Sequence, residues 1–174
     1  MQEEFELTYL AKRLPDSFST RVASKEILDI YIPTTSPHAT LRIRKRGDIC
    51  EITKKTPVAG TDSSHQNENT IPLTMDEFDE LATLVGKRVH KVRYYFTEND
   101  TAYEIDVFQD ALLGLILVDV EFTSNEEKMK FVPPTWVLAD VTQEKIFAGG
   151  VLCGKSYTDI IHSLEHYGYV PLHF

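Results

Sequence analysis

The chain has 174 residues, 42% apolar and 26% charged, which is enough material for one domain with a real core. Its 27 Asp and Glu outnumber 18 Lys and Arg, giving a net charge of -9 and a pI near 5.1. That balance argues against a nucleic-acid or anionic-membrane partner, because binding phosphate backbones needs a basic surface, but it leaves room for a local basic pocket. No run approaches the roughly 18 consecutive apolar residues of a membrane span. The N-terminal Met-Gln-Glu-Glu-Phe-Glu has neither the basic start nor the apolar stretch of a signal peptide. Two cysteines, Cys50 and Cys153, are too few for a disulfide framework, so a cytoplasmic protein is expected.

Alternation with period two runs through the first two thirds. Phe5, Leu7 and Tyr9 alternate with Glu4, Glu6 and Thr8, and Ile27 to Ile32 forms a second β-prone run. Leu41 and Ile43 then alternate with Arg42 and Arg44, and Cys50 and Ile52 with Glu51, Thr53 and Lys55. A weaker strand carrying Glu68 precedes Pro72. Val92, Tyr94 and Phe96 alternate with Lys91, Arg93 and Tyr95, Tyr103 to Val107 with Glu104 and Asp106, and Val118 to Phe122 with Asp119 and Glu121. The count is about eight strands, joined by polar turns such as Arg46-Gly47-Asp48 and Glu98-Asn99-Asp100 that favour antiparallel hairpins. Residues 57–66 read as a loop tip. Thr74 and Glu77 form a capping box ahead of a helix ending near Gly86. A short charged helix is expected over 124–131, stopped by Pro133-Pro134, and a last one over 156–168. The chain reads as a single domain over 1–174, mainly β with flanking helices, the last helix an appendage.

The faces opposite the apolar ones carry like-charged doublets: Glu4/Glu6, Arg42/Arg44, Lys91/Arg93, Glu104/Asp106 and Asp119/Glu121. Residues two apart on a strand share a face at roughly 6–7 Å, where like charges repel unless something opposite sits between them. Two arrangements accommodate this. The faces can look into solvent from a sandwich or open sheet, or they can line a closed barrel whose apolar outside is covered by helices. Carboxylates suit hard divalent cations and arginine forks suit phosphate oxygens, so a lined interior would suit a metal-complexed polyphosphate.

The order of these pieces resembles the CYTH family, the triphosphate tunnel metalloenzymes, over roughly residues 3 to 157. Glu4-Phe5-Glu6-Leu7-Thr8 is similar to the family's Glu-x-Glu-x-Lys signature, and Leu41-Arg42-Ile43-Arg44 with Gly47 to its Leu-Arg-Ile-Arg-x-x-Gly segment. Ile52-Thr53-Lys54-Lys55 resembles its Leu-Thr-x-Lys strand, and residues 104–108 and 118–122 resemble its late acidic strands. The resemblance implies an eight-stranded antiparallel tunnel binding a triphosphate-containing small molecule with Mg2+ or Mn2+. By position, Glu4, Glu6, Asp119 and Glu121 would hold metal. Arg42, Arg44, Lys55, Lys91 and Arg93 would clamp phosphates, and Glu68, Glu104 and Asp106 would complete the wall or orient water. The departure is Thr8, where the signature has Lys; a hydroxyl supplies a hydrogen bond but no charge. Hydrolysis of inorganic triphosphate leads the implied activities. Thiamine triphosphate hydrolysis, a class IV-type adenylate cyclase and a noncatalytic polyphosphate or nucleotide sensor are the alternatives.

Other motif matches carry less. Gly149 to Ser156 fits the P-loop pattern, but Gln143-Glu144-Lys145 before it is not strand-like and only 18 residues follow Ser156. A glycine-rich turn is the simpler reading, with Lys155 reaching a phosphate at one tunnel mouth. His162-Ser163-Leu164-Glu165-His166 fits an inverted zinc-protease pattern without room for a third ligand, so solvent-facing histidines are expected. Cys50 and Trp136 read as core residues. The sequence carries no signal for oligomeric state.

Overall fold

The structure, a computed structural model, describes residues 2–19, 21–60 and 62–173; Met1 and the loop-tip residue Thr61 are outside that range. Strands β1 (Gln2–Ala11), β2 (Ser24–Ile32), β3 (Leu41–Arg46), β4 (Ile49–Pro57) and β5 (His65–Leu73) are followed by helix α1 (Met75–Leu81). Then come β6 (Lys87–Glu98), β7 (Thr101–Phe108), β8 (Ile116–Phe122), α2 (Asn125–Lys130), β9 (Val137–Asp140), α3 (Gly149–Leu152) and α4 (Tyr157–His166).

Hydrogen bonding runs in the order β5-β4-β3-β2-β6-β7-β8-β1-β9, every pair antiparallel, and β5 also pairs with β1. That last pairing closes β1 to β8 into an eight-stranded barrel. β1 can serve three partners because β5 occupies Gln2–Phe5 of one edge and β9 takes Tyr9–Ala11. Sequence periodicity did not reveal β9: it is four residues long, with three partly buried residues and an exposed Asp140, so it shows no alternation. The β6–β7 hairpin turns on Asn99 and Asp100, both left-handed at φ 49° and 61°, as a two-residue turn matched to strand twist requires.

Apolar side chains leave the barrel on its outside and are covered there. The capping box expected at Thr74 and Glu77 is present, and α1 lays Phe78 over Ile30, Ile43 and Cys50. Trp136 is buried edge-on against Phe96 and Tyr103 and donates Nε1–H to Glu98. Helix α4 sinks Ile160 and Leu164 into the largest core cluster, which also contains Phe108, Leu117 and Leu152. Helix α3 was not expected. Its glycines permit close packing: a Cβ on Gly150 would lie 1.9 Å from the Ala39 carbonyl oxygen, and one on Gly149 2.3 Å from the Tyr31 hydroxyl.

Candidate active site

The inward parity of all eight barrel strands meets in one cavity of about 320 Å³. β1 contributes Glu4, Glu6 and Thr8, β3 contributes Arg42 and Arg44, and β4 and β5 contribute Lys55 and Glu68. Lys91 and Arg93 come from β6, Glu104 and Asp106 from β7, and Asp119 and Glu121 from β8. The charged doublets therefore face inward. The charged section ends on an apolar floor of Val89, Phe108, Leu117, Val141 and Phe147.

Carboxylate oxygens of Glu4, Glu6 and Glu121 all lie within 4.8 Å of one another, Glu121 being the most exposed. Register explains this: Glu6 pairs directly with Glu121, and Glu4 is one inward position along β1. The crowding shows in their acidities. Burial pushes the Glu6 carboxyl up against the pull of Lys55, and Glu4 adds to it. Loss of hydration, then Glu104, Glu6 and Glu4, push Glu121 up to about 7. Three hard oxygen donors short of compensating charge fit a divalent cation such as Mg2+ or Mn2+. Asp119 stands apart from this trio. It accepts from Arg93 Nη2 at 3.1 Å and from the Thr8 hydroxyl at 2.8 Å, and burial, then Glu6, push it up to about 7.

The basic residues are neutralised unequally. Arg93 donates to Asp106 from Nε at 2.6 Å and from Nη2 at 2.7 Å, and also contacts Glu104 and Asp119. Lys91 pairs with the same Asp106. Burial opposes ionisation of Asp106, but Arg93 and Lys91 outweigh it and hold the carboxyl at about 2. For Lys91 the balance falls the other way, burial lowering the ammonium despite Asp106. Lys55 reaches Glu4 at 2.5 Å and Glu68 at 3.2 Å. Arg42 has no carboxylate partner among the described residues, and its buried Nε is without a hydrogen bond.

Sequence reasoning did not single out Asp29 or Lys145 among the cavity-lining residues. Asp29 is 1% exposed and takes Arg44 Nε and Nη2 at 2.6 and 2.8 Å; it is the lone acid on the inward face of β2, so no doublet marks it. Lys145, at the start of the short 3-10 helix before α3, lines the cavity. The expectation for Lys155 is corrected: it does not line the cavity. The chain turns at Gly154, φ +75°, whose N–H is tied to the Arg88 carbonyl, and this carries Lys155 away. The P-loop pattern thus reflects glycines chosen for packing. His162 is 95% exposed beside Glu165, as a solvated helix face requires.

A closed antiparallel barrel with its charges turned inward and its apolar faces outward is a polyanion-binding tunnel, and the solvated-sheet alternative is excluded. No protein-family model matches the chain. An inorganic triphosphatase of Nitrosomonas europaea is 33% identical over 150 residues, 86% of this chain and 95% of that protein. The crystal structure of the inorganic triphosphatase NE1496 superposes with a TM-score of 0.63 and 28% identity, covering 89% of this chain and 97% of that one. A conserved hypothetical protein of Pyrococcus furiosus shares the fold at a TM-score of 0.51 and 16% identity, covering 90% and 93%. The chain belongs to the CYTH family of triphosphate tunnel enzymes.

Proposed function

We propose that this protein is a metal-dependent triphosphatase whose leading substrate is inorganic triphosphate. The observation that carries the reading is the juxtaposition, inside one cavity, of the Glu4–Glu6–Glu121 carboxylate trio with the inward-facing Arg42, Arg44, Lys55, Lys91 and Arg93. The trio would hold Mg2+ or Mn2+, which when bound screens phosphate oxygens and polarises the terminal phosphorus. The chain's own residues do the rest. Arg42 offers a guanidinium with no carboxylate partner among the described residues, Lys55 and Arg44 line the same cavity, and together they orient the triphosphate for in-line attack by water. Charge accumulating on the terminal phosphoryl oxygens is met in part by Arg44 and Lys55, already held by their ion pairs, which limits the reorganisation that accompanies the reaction. Glu68 on β5 and Glu104 on β7 keep the wall acidic enough to repel misplaced phosphate and to order water.

Inorganic triphosphate is preferred over an organic triphosphate because the lining at the level of the carboxylates and arginines is polar and charged, and because the Nitrosomonas relative carries that name. The two cysteines are buried and unpaired, which suits a cytoplasmic protein. Orthophosphate release from inorganic triphosphate, thiamine triphosphate and ATP, with and without Mg2+ or Mn2+, tests the assignment. Metal-dependent release fastest from inorganic triphosphate is expected. Binding of all three without release from any would return the protein to the sensor class.

A further inference from the structure

We infer that Asp29 is a positioning residue for this chemistry, acting through Arg44; the inference rests on the triphosphatase reading. Asp29 and Arg44 are direct cross-strand partners on β2 and β3. Both carboxylate oxygens of Asp29 are taken by Arg44, one by Nε and one by Nη2. Both line the cavity, Asp29 at 1% and Arg44 at 6% exposure, and with both of its oxygens turned to the guanidinium Asp29 meets the lumen through Arg44. A two-point fork fixes the plane of a guanidinium as well as its place, so the remaining N–H groups point in one direction.

The opposite flank of Arg44 shows that this orientation is selected. In register, Glu51 of β4 is the other neighbour of Arg44 and also lines the cavity, yet it makes no ion pair among the described residues. The guanidinium turns toward the deeper, more buried acid. Burial by itself would make Asp29 harder to ionise; Arg44, with Arg42 and Lys91 beyond it, holds the carboxyl well below the usual range. Asp29 therefore stays charged, cancels much of the Arg44 charge, and leaves Arg44 to contribute direction more than attraction. The other inward cations show the contrast: Arg42 has no carboxylate fork to hold it among the described residues, while Arg93 is spread over three acids.

A double-mutant cycle separates this role from that of an ordinary buried ion pair. Wild type, Asp29→Asn, Arg44→Gln and the double variant are compared for tripolyphosphate affinity of the metal-free protein by calorimetry, and for kcat with Mg2+. Asp29→Asn unmasks a cation and frees the fork, so affinity should tighten about threefold while kcat falls about tenfold. Neither change should appear when Asp29→Asn is added to Arg44→Gln. If Asp29→Asn fails to fold, Asp29→Glu keeps the charge but displaces the fork by one methylene, and kcat should fall about tenfold at unchanged affinity. Weaker binding in Asp29→Asn, the same effect in the Arg44→Gln background, or a lowered melting temperature with unaltered kcat overturns the inference. Absence of phosphate release by the wild type would remove the triphosphatase reading alone, because the calorimetric half of the cycle still decides whether Asp29 acts through Arg44.

Discussion

Replacing Arg42 and Arg93 singly by alanine separates the cation that binds anion from the cation that holds the barrel together. Arg42 lines the lumen without a carboxylate partner among the described residues, and its Nε is buried with no hydrogen bond. Removing it deletes charge-assisted contacts to phosphate on the order of 1.5–3 kcal/mol and relieves an unsatisfied donor. Tripolyphosphate affinity should therefore fall by about ten- to a hundredfold with little loss of stability. Arg93 is 6% exposed and serves Asp106, Glu104 and Asp119 together. Its loss takes a cation from three acids in a closed space, leaving Asp106 only Lys91 and Asp119 only the Thr8 hydroxyl among the described residues, and breaking a buried pair from one side costs about 3–5 kcal/mol. Arg93→Ala should accordingly lower the melting temperature far more than Arg42→Ala does. Calorimetric titration of tripolyphosphate at fixed salt, paired with thermal melts, reads both quantities. An Arg93→Ala protein that melts like wild type but binds more weakly than Arg42→Ala would refute this division of labour.

Glu6→Gln should reduce Mn2+ affinity by about tenfold or more and raise the melting temperature of the metal-free protein, since one member of a crowded trio loses its charge; unchanged Mn2+ binding by calorimetry would count against Glu6 as a ligand. Metal-free stability should rise on acidification from pH 8 to pH 5. Asp119 and Glu121 are both raised to about 7 in the folded chain, so the stability they contribute is complete below their ordinary values and is lost as pH climbs through 7. Urea midpoints across that window check the sign, and a metal-free protein that loses stability steadily from pH 8 to pH 5 contradicts it. Gly150→Ala should destabilise by about 1–3 kcal/mol, because the added methyl meets a backbone carbonyl that has nowhere to move; an unchanged denaturation midpoint would show that Ala39 yields. Lys155→Ala should leave tripolyphosphate affinity within about twofold of wild type, its side chain being outside the cavity.

Period-two alternation determined most of the barrel strands, and the like-charged doublets determined which residues share a face. Both are local consequences of the pleat, where neighbours two apart point the same way whatever the rest of the chain does. Glu4, Glu6, Arg42, Arg44, Lys91, Arg93, Glu104, Asp106, Asp119 and Glu121 were all legible on those grounds, as was the capping box at Thr74. Whether those faces look inward was not local. It depends on β5 returning to β1, a pairing of Gln2–Phe5 with His65–Glu68 across some sixty residues of chain. Only that closure turns repelling doublets into a lined cavity. Tertiary structure also decided partnership. Asp29 has no charged neighbour of its parity on β2, and it becomes part of the site only because register sets it opposite Arg44. Lys155 shows the reverse: a glycine-rich turn was expected to bring it to a tunnel mouth, but a left-handed glycine and the packing of α3 against Ala39 leave it outside the cavity lining. Periodicity reports the face of a strand, while charge pairing is settled between strands, by register and closure.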